Sequence, residues 1–150
     1  MSSSGAPESP VGEFTEAFMG LVRSLGLLEP DHTPCGSPMS VAEAHALTIL
    51  REGPLHQGEL GAQLHLGKST TSRLTDGLEQ RGWVRREADP HDGRARLLVL
   101  TASGTEAAAG VVERRGRRLA ELLDHIDPAH HTTVIEALRL LKEASGRERS

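Results

Sequence analysis

The sequence predicts a mainly helical fold, six helices with one small β-hairpin, and three observations carry that expectation. Apolar residues recur at three- and four-residue spacing along most of the 150-residue chain, which is the period of a helix. With two Phe, one Trp and no Tyr, the core must be built from Leu, Val and Ala, a composition that favours helices packed on helices. The exception is residues 83–101, where two β-prone runs flank a turn-forming segment.

Residues 1–10, rich in Ser, Pro and Gly, predict a disordered lead, and 11–150 a single domain. Val11, Phe14, Phe18, Leu21, Val22 and Leu25 form one apolar stripe, a first helix within 11–28 that stops before Pro30. Glu29 to Pro38 holds three prolines, a glycine and Cys35, and reads as a loop. Ser40 with Glu43 three residues on is a capping box, starting a second helix that ends at Gly53-Pro54. A short helix from about His56 to Leu64 and another from Lys68 to Arg81 are joined by the Leu66-Gly67 turn, which predicts a helix-turn-helix. Leu74 and Leu78 mark the buried side of the second of these, and Gly82 stops it. Trp83–Ala88 and Arg96–Thr101 read as strands joined by Asp89-Pro-His-Asp-Gly93, a hairpin with a protruding loop. Thr101 can cap a long helix to about Ile126. Asp127-Pro128 then starts a last helix that carries Val134, Ile135, Leu138 and Leu141.

Composition narrows the function. No run approaches the roughly 18 apolar residues that span a bilayer, and the first residues lack the basic and apolar stretches of a signal peptide. One cysteine closes no internal disulfide, so a cytoplasmic protein without membrane contact is expected. Net charge is −4, yet residues 54–101 hold seven Lys or Arg against six acids. No nucleophile elbow, phosphate loop or paired metal motif accompanies the eight His, so no enzyme, cofactor or metal site is expected.

A helix-turn-helix followed at once by a hairpin is a winged helix. Lys68, Ser69, Ser72, Arg73 and Asp76 are expected to face outward, and with Thr70 they offer a small, polar, basic surface suited to a major groove. Arg94 stands at the end of the wing loop, with Arg85, Arg86 and Arg96 on its strands, a basic projection suited to a minor groove. A merely solvated helix and turn explain either feature alone, but not both side by side.

The segments Leu60 to Leu64, Lys68-Ser-Thr-Thr-Ser-Arg-Leu74, Asp76-Gly-Leu-Glu-Gln-Arg-Gly-Trp-Val84, Asp89-Pro-His-Asp-Gly-Arg94 and Leu100-Thr-Ala-Ser-Gly104 resemble the MarR family of bacterial transcription regulators. The resemblance is strong over residues 40–104. It implies a homodimer whose first and last helices (11–28 and 102–146) intertwine, and two winged helices (54–101) on a palindromic operator. It further implies a DNA-binding set of Lys68, Ser69, Thr70, Ser72, Arg73, Arg86, Arg94 and Arg96, with Asp92 stabilising the wing. The chain departs from the family at His56, where a Thr or Ser cap is usual. The apolar stripes of the three terminal helices independently exceed what one small winged helix can cover.

Cys35 reads as a plain free thiol, with a sensor of oxidant or metal as the alternative. Peroxide-sensing relatives hold their cysteine with tyrosines, which this chain lacks, and zinc-sensing ones use histidines in the long helix, where residues 102–124 hold none. His32, Glu43 and His45 are the neighbours in sequence that would tempt a metal reading. Arg114, Arg115, Arg117 and Arg118 lie about 15 Å along the long helix and read as a solvated face, with an anionic-effector pocket as the alternative. His125, His130 and His131 read as surface residues. The expected function is a double-stranded-DNA-binding regulator, a repressor released by a small-molecule effector; the alternative is a winged helix that binds only protein.

Overall fold

The computed structural model describes residues 9–147. The expected lead therefore lies outside the described residues as far as position 8, while Ser9 and Pro10 already belong to the first helix. Helix α1 runs Pro10–Ser24, with Pro at its first position and the Ser9 hydroxyl accepting the Gly12 N–H. Helix α2 (Val41–Leu50) starts at the expected box, in which Ser40 Oγ accepts the Glu43 N–H at 3.1 Å and the Glu43 carboxylate accepts the Ser40 N–H at 2.8 Å. Strand β1 (Leu55–His56), helix α3 (Gln57–Leu64) and helix α4 (Lys68–Gln80) follow. Then come β2 (Val84–Ala88), β3 (Arg96–Leu100), the long α5 (Ala102–Asp124), a 3-10 turn at Pro128–His130 and α6 (His131–Arg147).

The expected hairpin is in fact part of a three-stranded antiparallel sheet in the order β1-β3-β2. Leu55 and His56 pair with Leu98 and Leu97, and a strand of two residues is too short to show alternation in a sequence. The last helix also differs from expectation. Asp127 caps the 3-10 turn, accepting the Ala129 N–H at 2.9 Å, and α6 proper begins only at His131. His131 is half-buried rather than a surface residue. Its Nε2 donates towards the Leu123 and Ile126 carbonyls at 3.0 and 2.9 Å, satisfying acceptors left over at the end of α5.

The chain divides into two compact units, Met1–Arg114 and Arg115–Ser150. The core of the first is aliphatic, as the composition requires: Leu47, Leu60, Leu78, Leu98 and Val111, from α2, α3, α4, β3 and α5, are all fully buried. Each such side chain contributes about 1.5–3 kcal/mol by leaving water. On α4 the buried positions are Thr71, Thr75 and Leu78, while Leu74 and Ser72 are half-buried, which corrects the expectation that Ser72 faces outward. Thr71 Oγ1 donates to the Gly67 carbonyl and Thr75 Oγ1 to Gln57 Oε1, both at 2.9 Å, so neither hydroxyl is buried without a partner.

Two glycines set how closely the elements approach. A Cβ on Gly61 would lie 2.6 Å from Thr71 Oγ1, so α3 and α4 cross with no room for a side chain at 61. A Cβ on Gly104 would lie 1.8 Å from the Trp83 carbonyl oxygen. That oxygen accepts the Thr101 N–H at 3.0 Å, and Thr101 Oγ1 both donates to the Gly82 carbonyl at 2.6 Å and accepts the Gly104 N–H at 3.0 Å. The Leu-Thr-x-x-Gly run is thus a joint where the ends of α4 and β3 and the starts of β2 and α5 meet.

Among the described residues, no helix is long and apolar enough to cross a membrane.

Candidate nucleic-acid interface

Helix α4 ends where its backbone leaves the helical path at Gly82 (φ +72°), with the Gly82 and Trp83 N–H groups donating to the Glu79 and Leu78 carbonyls. With Thr71, Thr75 and Leu78 turned inward, Lys68, Ser69, Thr70, Arg73 and Asp76 are exposed. Ser72 lies between the two sets. Among the described residues, no side chain partners the cationic ends of Lys68, Arg73, Arg94 or Arg96 by hydrogen bond or ion pair. The arrangement can therefore offer four unneutralised cations on one winged helix.

The wing is built from β2 and β3, paired from Val84↔Leu100 to Ala88↔Arg96. Its loop is closed by the Asp89 N–H donating to the Ala95 carbonyl at 3.1 Å. At the tip, the Asp92 carboxylate accepts the Arg94 N–H at 3.1 Å and its carbonyl accepts the Ala95 N–H at 3.0 Å, which curls the loop and leaves the Arg94 guanidinium outside.

Arg86 behaves differently from the other predicted cations. Its Nη1 donates to Glu79 at 2.8 Å, and its Nη2 lies 2.9 Å from Asp76, 3.2 Å from Thr75 Oγ1 and 3.3 Å from Gln57 Oε1. The Arg86 side chain is only about a third exposed. It bridges β2 to α4 and to the first turn of α3, and both terminal nitrogens are occupied within the chain. Arg85 is likewise engaged, by Glu87 at 2.6 Å and the Leu100 carbonyl at 3.2 Å.

Sequence reasoning missed the residues that hold the wing in place. Asp76 and Glu79, three apart on α4, carried a legible signal as an acidic pair facing an arginine-bearing strand. His56 and Asp89 carried none: His56 Nε2 meets Asp89 Oδ2 at 2.7 Å across 33 positions of sequence. The His91 N–H at 2.8 Å, followed by the His56 ring, holds the Asp89 carboxyl below its ordinary value. The Glu59 carboxylate accepts the His56 N–H at 2.8 Å, so the unusual cap of α3 retains the Glu half of a capping box.

Cys35 is half-buried, with Sγ 3.0 Å from Thr33 Oγ1 and 3.9 Å from Ser37 Oγ. Burial pushes its thiol up, but the hydrogen bonds of Thr33 and Ser37 outweigh burial and leave it below its ordinary value. The described residues contain no group of three His, Cys, Asp or Glu placed to hold a metal ion. Glu43 is engaged by the Ser40 cap and by Arg81 at 3.2 Å. In the basic run of α5, Arg115 is half-buried and Arg118 approaches Glu121 at 3.8 Å.

Residues 37–95 match the model of the MarR family. The chain is 32% identical to an uncharacterised HTH-type transcriptional regulator of Mycobacterium leprae, over 85% of this chain and 86% of that one. Among solved structures it is similar to a MarR family protein from Bacillus stearothermophilus, with a TM-score of 0.71 and 27% identity over 95% of this chain and 99% of that one. Its fold is also shared by Streptococcus pneumoniae FabT, solved in complex with DNA, at a TM-score of 0.73 and 15% identity over 91% and 96% of the two chains.

Proposed function

The chain belongs to the MarR family of HTH-type transcriptional regulators, and from that premise we propose that it is a cytoplasmic homodimeric repressor that binds a palindromic operator and is released by an effector. The observation that carries this reading is the set of unneutralised cations, Lys68 and Arg73 on α4 and Arg94 and Arg96 on the wing. Lys68, Ser69, Thr70 and Arg73 enter the major groove, where short side chains let the helix sit deep and Arg73 reaches a guanine edge. Arg94 enters the adjacent minor groove and Arg96 meets phosphate. Ser72, half-buried, contributes at the margin. Arg86 orients the wing rather than touching DNA.

Dimerisation is supported by apolar side chains that the single chain leaves in water: Val11, Phe14 and Phe18 on α1, Leu119 on α5, and Ile135 and Leu138 on α6. Two copies related by a two-fold axis read two half-sites, which makes the operator a palindrome. Effector release is supported by an open groove of about 550 Å³ lined by Met39, Trp83, Ala107, Glu106 and Arg114, against the joint at which α5 begins. Binding-site selection from random duplex DNA tests the reading. A palindromic consensus is the expected result; failure to enrich any duplex would favour a winged helix that binds protein.

A further inference from the structure

His56 stands where β1 becomes α3, and it has a carboxylate on each side. Nε2 lies 2.7 Å from Asp89 Oδ2 and Nδ1 lies 3.2 Å from Glu59 Oε2. Glu59 belongs to the first turn of α3, whereas Asp89 closes the root of the wing loop that carries Arg94. Across the β1–β3 ladder the residue facing His56 is the uncharged Leu97. Among the described residues, those two carboxylates are the charged groups that pair with the ring.

A neutral imidazole has one N–H and can donate to only one of them. The doubly protonated ring donates to both and carries a charge opposite in sign to theirs. Removing one proton leaves a lone pair facing a carboxylate oxygen, at the Glu59 side if the shorter Asp89 contact persists. Glu59 also holds the His56 N–H at 2.8 Å, so the same change loosens the start of α3.

Resting on the DNA-binding reading above, we propose that His56 is a positioning residue for DNA binding: as an imidazolium it ties the root of the wing to the start of the helix-turn-helix. DNA affinity then falls as rising pH removes the second ring proton. The sign follows from the groups involved. Asp89 is held below its ordinary carboxyl value and stays anionic from about pH 5.5 to 8.5, a range in which imidazole is the side-chain group that ordinarily changes charge. The two contacts together need both ring N–H groups, so their joint contribution is present with the doubly protonated ring and lost when one proton leaves. A wing whose root is free must be ordered on binding, which weakens the complex.

The test is anisotropy titration of the full chain on the duplex recovered by selection, at about pH 5.5 and 8.5 and several salt concentrations. His56→Gln and Asp89→Asn are compared with wild type, and thermal melts confirm that each folds. Wild type is expected to weaken on the alkaline side by about threefold per subunit more than either variant, the scale of a half-exposed ion pair. The double variant should show no further change. Salt slopes should be equal for wild type and His56→Gln. A slope lower by about one per subunit in His56→Gln would place the imidazolium on a phosphate and overturn the proposal. Long-range proton–nitrogen NMR of the His56 ring, without DNA, must show both nitrogens protonated at about pH 5.5 and the alkaline loss of one shifted in Asp89→Asn; a neutral ring at that pH overturns the strut. If no variant binds any duplex, the DNA-binding reading fails, and the ring spectra still decide whether the strut exists.

Discussion

Replacing Arg86 with alanine separates two roles that a basic residue on a wing can play. The guanidinium makes ion pairs with Glu79 at 2.8 Å and Asp76 at 2.9 Å, and both acids are about half exposed. Screened by solvent, each pair is worth about 0.5 kcal/mol. The contact with Thr75 Oγ1 at 3.2 Å reaches a hydroxyl on a fully buried residue and is charge-assisted, adding about 1 kcal/mol. Arg86→Ala should therefore destabilise the fold by about 2 kcal/mol and leave Asp76 and Glu79 as uncompensated negative charge near the reading helix. Urea unfolding monitored by circular dichroism measures the first effect. Titration of operator DNA over a salt series measures the second, expected as weaker binding with an unchanged salt slope, because no phosphate contact is lost. A stability loss under about 0.5 kcal/mol together with a slope reduced by about one per subunit would refute the brace and put Arg86 on the DNA backbone.

Arg73→Ala should cost roughly 1–3 kcal/mol of binding and relax preference at one position per half-site, read by competition with single-base variants of the operator. Arg94→Ala should weaken operator and scrambled duplex alike and lower the salt slope by about one per subunit, a different failure of the same surface. Gly104→Ala places a methyl inside the Trp83 carbonyl and should destabilise by about 3 kcal/mol or more, visible as a lowered urea midpoint. Cys35→Ser should bind operator as wild type does when reduced and free of metal; loss of binding there would make the Thr33–Ser37 loop structural. Sedimentation equilibrium should give twice the chain mass at micromolar concentration, and a monomer at all concentrations would remove the basis for a paired operator.

Elements with strong local chemistry were legible in the sequence. The Ser40–Glu43 box, the Thr101 cap and the Gly82 stop each lie where residue types demand them, and the observed helices start or end there. What the sequence could not show depends on contacts between distant segments. Strand β1 exists because Leu55 and His56 meet β3, which no local period announces. Thr71 and Thr75 lie outside the Leu74–Leu78 stripe, yet the glycine at 61 and the side chain of Gln57 give them a tight, satisfied place inside. Exposed cations on α4 and at the wing tip could be anticipated from composition. Arg86 is set apart from them by its partners, of which the acidic pair Asp76 and Glu79 left a signal in the sequence and Gln57 and Thr75 left none.

The joint at Trp83 and Gly104 makes α4 a lever. Gly82 and Trp83 are bound to Thr101, and the start of α5 lies against the same carbonyl, so the far end of α4 is pinned, while its Lys68 end is locked to α3 by the Gly61–Thr71 crossing and moves with it. A helix of 13 residues is about 20 Å long. A tilt of about 10° at the pinned end moves Lys68 by roughly 3 Å, close to the rise of one base pair. A rotation of that size at the root of α5 would displace the exposed face of α4 by about one base-pair rise, enough to turn a fitting duplex into a misfit.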